Sequence, residues 1–215
     1  MNAADMTVAV ATDARRRAEP QQRRSVERFE RALAEAEEMV ARRSFADLTM
    51  TDLAAQAGLS IGALYRWFPD RDALGVALAE RVGTRLIEQA GRPTLVASND
   101  VTTVPVEQWL RRVRELLSAD RAATSLLAQP TERDGPGAVM FRLLRDVLLA
   151  ALHRTGAAQP ETGHEVAATT LAILVRGLLL EISFGDPREG DGVMSGLIFA
   201  VDAYVSGWAT PVSDR

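Results

Sequence analysis

The sequence predicts an all-α fold: a three-helix N-terminal unit that contains a helix-turn-helix, followed by a larger helical C-terminal domain. Three observations carry this. Apolar residues recur at steps of three and four, the spacing that puts them on one face of a helix. No run alternates β-branched and polar residues as a half-buried strand would. The segment boundaries carry helix punctuation, with Thr, Ser or Asp before a segment and Gly or Pro after it.

The elements follow in order. Residues 1–20 are polar and Ala-rich with no apolar stripe, and are expected to form a mobile basic arm. Val26, Phe29, Leu33, Ala36 and Val40 mark a helix over residues 25–43 with one buried face. Thr49 is placed to cap a short helix over 50–57, with Asp52 where a capping-box acid would sit, and Gly58 ends it. Ser60 caps a second short helix over 61–68, stopped by Pro69; Asp70 caps a longer one from Arg71 to about Gln89. Gly91, Pro93 and Ser98 mark a loop. Pro105 opens a helix expected to run unbroken from Val106 to about Gln129. Residues 131–137 read as a loop, 138–155 as a helix ended by Gly156 and Pro160, 161–184 as a long helix apolar on nearly every face, and 192–208 as the last helix. No segment repeats at a fixed period.

The 215 residues carry a net charge of −4, with 47% apolar and 25% charged residues, as in an average globular protein. The absence of cysteine excludes a disulfide framework, a thiolate nucleophile and a sulfur-ligated zinc site. His153 and His164 are the only histidines; both are expected at the surface with no metal role, and no cofactor is expected. The apolar run 167–180 is broken by Arg176 and reads as too short and too charged to span a bilayer. No apolar segment of signal-peptide type follows Arg15, Arg16 and Arg17, so a cytoplasmic protein without membrane association is expected. Residues 14–75 hold 11 Arg and 10 acidic residues, and residues 91–215 hold 12 Arg and 15 acidic residues. That asymmetry is small; the clustering of Arg15, Arg16, Arg17, Arg23 and Arg24 says more. All 25 basic residues are Arg. An enzyme is not expected: no nucleophile stands beside a base, and no Gly-rich phosphate loop follows a strand. Glu35, Glu37 and Glu38 read as solvent-facing charge.

The stretch from Thr49 to Phe68 is two short helices joined by a tight turn, a helix-turn-helix. Leu53, Ala54, Ala57, Leu59 and Leu64 fit between its helices, leaving the outer face of the second one free. Ser60, Gly62 and Ala63 are small and lie at that helix's N-terminus, where the backbone can approach phosphate or base edges. With Phe29, Asp52-Leu53-Ala54, Ala57-Gly58-Leu59-Ser60, Gly62-Ala63-Leu64-Tyr65, Phe68-Pro69, Arg71 and Leu74 at their spacings, the region from Phe29 to Leu78 resembles the TetR family of bacterial transcriptional regulators. Two positions depart from the family pattern. Arg71 stands where Lys is commoner, and Trp67 stands where His or Tyr is frequent.

The resemblance implies a DNA-binding domain over residues 21–75, with its motif at 49–68, and a helical regulatory, ligand-binding and dimerisation domain over 76–211. It implies that Thr49, Tyr65, Trp67 and Arg71 hold the DNA backbone. Ser60, Gly62 and Ala63 would read bases, with Thr51, Gln56 and Arg66 as further candidates. Leu64 and Phe68 would lock the recognition helix onto Phe29 and the start of the 71–89 helix. The N-terminal Arg cluster of Arg15, Arg16, Arg17, Arg23 and Arg24 is either a solvated tail or an arm that reaches the minor groove.

In the second half, a helix apolar all round calls for burial on every side, hence a partner helix. Pairing of 161–184 and 192–208 with their symmetry mates would form a four-helix bundle, with Ala168, Ala172, Gly177, Gly196 and Gly207 allowing close approach. Arg176 is expected to pair with Asp202 or Glu181, or else to lie at a solvated rim. Trp109, Val113, Leu117, Phe141, Leu144, Leu148, Leu174 and Leu178 are candidates for lining an apolar effector pocket, with ordinary core packing as the competing role. The function implied is a ligand-responsive regulator, a repressor that binds a pseudo-palindromic operator in double-stranded DNA as a homodimer. A small, largely apolar effector would release it by moving the 71–89 helix. The competing reading is a helical protein–protein interaction module that no longer binds DNA.

Overall fold

The computed structural model describes residues 23–96, 100–131, 134–157, 159–186 and 188–209; the arm expected over 1–20 lies outside them. Nine helices account for most of the described residues: α1 (Arg23–Arg42), α2 (Met50–Ala57), α3 (Ile61–Trp67), α4 (Arg71–Ala90), α5 (Val106–Ala119), α6 (Arg121–Leu127), α7 (Pro136–His153), α8 (Glu161–Phe184) and α9 (Gly190–Ala209).

α1, α2 and α3 form the N-terminal unit, and the start of α4 closes it. The punctuation acts where the sequence places it. Thr49 Oγ1 accepts from the Asp52 N–H at 3.1 Å, Ser60 Oγ from Ala63 at 3.2 Å, and Asp70 Oδ1 from Ala73 at 2.7 Å. Each bond satisfies one of the donors that a helix start leaves without a partner. Gly58 ends α2 at φ 64°, a left-handed conformation that costs glycine least, and its N–H reaches the carbonyls of Ala54 and Ala55. Phe29 of α1 stacks on Phe68 at 5.3 Å between ring centres and meets Trp67 edge-on at 5.8 Å, so α1 grips the end of α3. Leu33, Leu53, Leu64 and Leu74 are buried in the same core.

Two segments differ from the sequence reading. The helix expected over 106–129 is broken at Asp120, which ends α5 and caps α6 by accepting from Ala123 N–H at 2.9 Å. A competent N-cap resets the backbone to an extended conformation although the apolar spacing continues across it. The loop after α4 contains two three-residue strands, β1 (Arg92–Thr94) and β2 (Thr103–Pro105), paired in parallel with Arg92 opposite Thr103. Trp109 pins this connection by donating its indole N–H to the Gly91 carbonyl at 2.9 Å.

α7 packs against α4 on one side and α8 on the other, and α8 packs on α9. By length and composition α8 could cross a membrane, with a mean hydropathy of 1.7 over its best window, contrary to the reading that the run is too short. A third of that window is buried inside the protein, and Ala168, Leu171, Val175 and Leu179 lie in the core. Arg176 does not pair with Asp202 or Glu181. Its Nε donates to the Leu127 carbonyl at 3.1 Å and its Nη2 to the Gln129 carbonyl at 2.9 Å. The half-buried cation thus satisfies the carbonyls left over at the end of α6, and burial holds its pKa below the usual Arg value. Asp202 and Glu181 are both exposed.

Candidate nucleic-acid interface and effector cavity

The outer face of the α2–α3 unit is open. Thr49, Thr51, Ser60, Gly62 and Arg66 are exposed, and Tyr65 is 43% exposed. A Cβ added at Gly62 would meet nothing within 4 Å, so this turn of α3 offers bare backbone to whatever approaches it. Ala63 is half-buried beside them. Gln56 is exposed, and its Oε1 accepts from Arg42 Nη2 at 3.1 Å, which holds its amide toward α1.

Two of the expected backbone contacts sit differently. Trp67 is only 7% exposed and its ring is packed against Phe29, so it is core rather than part of the open face. The sequence pattern places it two residues after Tyr65 but does not say that its large ring packs against Phe29 of α1. Arg71 remains exposed but is engaged internally: Nη1 donates to the Ala46 carbonyl at 2.9 Å, and the guanidinium lies 5.4 Å from the centre of the Phe45 ring. It fastens the start of α4 to the loop before α2.

Residues 32–78 match the family model of the bacterial regulatory proteins, tetR family. This helix-turn-helix belongs to the tetR family. The tetR-type fold continues through the rest of the chain. A TetR variant from Acinetobacter baumannii AYE, in complex with minocycline, shares 23% identity at a TM-score of 0.57, over 82% of this chain and 93% of that one. A TetR transcriptional regulator from a Rhodococcus species shares 22% at 0.58, over 88% and 98%. The SmeT–triclosan complex shares 22% at 0.57, over 84% and 91%. Identities this low speak for the fold alone. No curated protein matches the chain.

Behind the tetR-type unit, α4, α5, α7 and α8 surround a narrow cavity of about 60 Å³ that opens toward solvent. Of the pocket candidates read from the sequence, Trp109, Val113, Leu117 and Leu144 line it. Phe141, Leu148, Leu174 and Leu178 do not; Leu148 is fully buried and the other three pack against the core. The walls that sequence reasoning missed come chiefly from α4, with Gly83, Leu86 and Ile87, and from α7, with Met140, Leu143 and Val147. The signal for them was present in steps of three and four that run on along both helices past the residues needed for the N-terminal unit. Every lining side chain is apolar except the Trp109 indole, whose N–H is already given to Gly91. Gly83 matters sterically: a Cβ there would meet Leu143 Cδ1 and stand 3.1 Å from Met140 Sδ.

The same α4 joins cavity to interface through an ion-pair chain. Arg81 reaches Glu30 and Glu37 of α1, and Arg85 reaches Glu37 at 2.8 Å and Asp120 at 2.5 Å. Partial burial works to lower the Arg85 pKa, but the hydrogen bonds and charges of Asp120 and Glu37 outweigh it and the net shift is upward. Glu37, expected as free solvent-facing charge, is thus a bridging acid between α1 and α4. His164, expected at the surface, is 6% exposed, while His153 is exposed.

Proposed function

We propose that this chain is a ligand-responsive transcriptional regulator of the tetR family, a repressor that binds a pseudo-palindromic operator as a homodimer and is released by a small, largely apolar effector. The observation that carries the reading is the exposed outer face of α3, held rigidly by the capped turn beneath it and by Phe29. Ser60, Gly62, Ala63 and Arg66, with Thr51, would face the groove; Thr49 and Tyr65 would hold phosphates. Arg71 would add its charge to the same backbone contact while staying fastened to Ala46.

The division is a DNA-binding domain over 21–75 and a regulatory domain over 76–211, in a cytoplasmic protein. Effector preference follows from the cavity wall: with no unengaged polar group on its lining side chains, it favours a ligand that does not require hydrogen bonds there. Two fold neighbours hold minocycline and triclosan, which supports a small-molecule effector. The dimer reading rests on large apolar side chains left in the open on the last two helices, with Ile173 61% and Phe199 75% exposed. An effector in the cavity would press on α4, whose far end carries Arg71 and Gly75 against the loop before α2.

A footprint on the DNA upstream of the chain's own gene tests this. The proposal expects a dimer in solution and two protected half-sites about 34–36 Å apart. A monomer, or protection of a single half-site, would refute it.

A further inference from the structure

The chain has only two histidines in 215 residues, and the fold brings both to one place. His153 ends α7 and His164 lies in the first turn of α8. Their ring centres are 4.8 Å apart, and Glu161 completes the group with its Oε1 3.3 Å from His153 Nε2. One potential ligand atom from each of the three residues lies within 4.8 Å of the other two. We propose that His153, Glu161 and His164 form a binding site for a divalent transition-metal ion, of the zinc, cobalt or nickel class.

Four features support the assignment. First, helix ends explain Glu161 and His153 singly, since an acid suits a helix start and His a helix end, but not the convergence of both on a buried imidazole. Second, His164 is prepared as a ligand. Its Nδ1 lies 3.2 Å from the Pro160 carbonyl, which can only accept, so the Nδ1–H tautomer suits this contact and leaves Nε2 as the nitrogen that could bind a metal. Metal-bound histidines are oriented by this kind of second hydrogen bond. The Trp208 ring, edge-on at 5.1 Å, fixes the imidazole plane from the other side. Third, ligands at bond lengths of about 2.0–2.2 Å in a tetrahedron stand roughly 3.3–3.5 Å apart. The His153–Glu161 spacing already matches, and both side chains are exposed enough to rotate the rest of the way. Fourth, the ligand set is selective: two imidazole nitrogens and one carboxylate suit zinc-like ions, whereas calcium and magnesium prefer all-oxygen sites.

Three protein ligands leave a fourth position for water or an anion. The bound ion would brace the turn between α7, which lines the cavity, and α8, at the end where α9 contributes Trp208. The site shares no residue with α2, α3 or the cavity wall, so it stands or falls independently of the regulatory reading.

The test is a cobalt titration of the full chain after chelator treatment, followed in the visible absorption region, with zinc as competitor. His153→Ala and Glu161→Gln change exposed side chains, and circular dichroism reports whether each variant keeps its fold. The expected result is one cobalt per chain, with ligand-field bands displaced by zinc and affinity reduced at least about tenfold in each variant. Equal cobalt affinity in the wild type and His153→Ala, or no stoichiometric binding by the wild type, would overturn the proposal.

Discussion

The backbone N–H of Phe45 donates to Ser125 Oγ at 2.9 Å, across 80 positions of sequence. Phe45 lies in the loop between α1 and α2, and Ser125 lies on α6 of the regulatory half. The buried Phe45 ring also receives the Arg71 guanidinium. One residue therefore touches both the start of α4 and helix α6 of the regulatory half. Ser125→Ala removes the acceptor from a half-buried N–H. Stability is expected to fall by about 1 kcal/mol in urea denaturation, with the DNA-contact residues unchanged.

Gly75 sets the distance between α4 and that ring. A Cβ there would run into Phe45 and stand 3.0 Å from Pro136 Cγ. Phe45 is buried, so its ring can move aside only by displacing packed neighbours. Gly75→Ala should therefore cost about 1–3 kcal/mol, read as a lowered melting temperature. Gly62→Ala, with open space around it, should leave the melting temperature within the range of a surface change and affect DNA binding instead.

Asp120 has two duties, capping α6 and pairing with Arg85. Asp120→Ala is expected to lower stability by about 1–2 kcal/mol, most of it from the cap, because an ion pair with Arg85 about a third exposed adds little. Asp120→Asn keeps a capping oxygen and removes the charge. The difference between the two variants in urea denaturation, at low and high salt, separates cap from ion pair.

Arg176 anchors α8 to the end of α6 through the Leu127 and Gln129 carbonyls. Arg176→Met fills similar volume without donors. Two carbonyls lose charged hydrogen bonds, and a loss of about 1–3 kcal/mol is expected by thermal denaturation.

The cavity is testable without a known effector. Leu144→Trp adds bulk to its wall. An apolar fluorescent probe such as N-phenyl-1-naphthylamine should brighten with the wild type and brighten less with the variant. Equal enhancement would place the probe elsewhere.

Much of this architecture is legible in the residues, and the limits are physical. Thr49, Ser60 and Asp70 signal their helices because a cap is a local bond, three positions long, readable from residue type. Phe29 and Phe68 meet because each lies on its helix's apolar stripe. The break at Asp120 is hidden because Ala122, Ala123, Leu126 and Leu127 continue the apolar spacing of α5, and Asp120 itself was the overlooked signal. β1 and β2 are too short to show alternation. Arg176 finds backbone carbonyls, which no residue pattern displays. Trp67 and His164 are misplaced by spacing alone: ring size decides the first, and closure of the turn after α7 decides the second.

The central claim is that α3 carries DNA recognition, and fluorescence anisotropy with the DNA upstream of the chain's own gene tests it most directly. Wild type and Tyr65→Ala would be titrated at two salt concentrations. Tyr65 is 43% exposed, so the variant should fold normally. The expected result is tight wild-type binding that weakens steeply with salt, and at least about tenfold weaker binding by Tyr65→Ala. Binding that is insensitive to salt, or equal in the two proteins, would contradict the account.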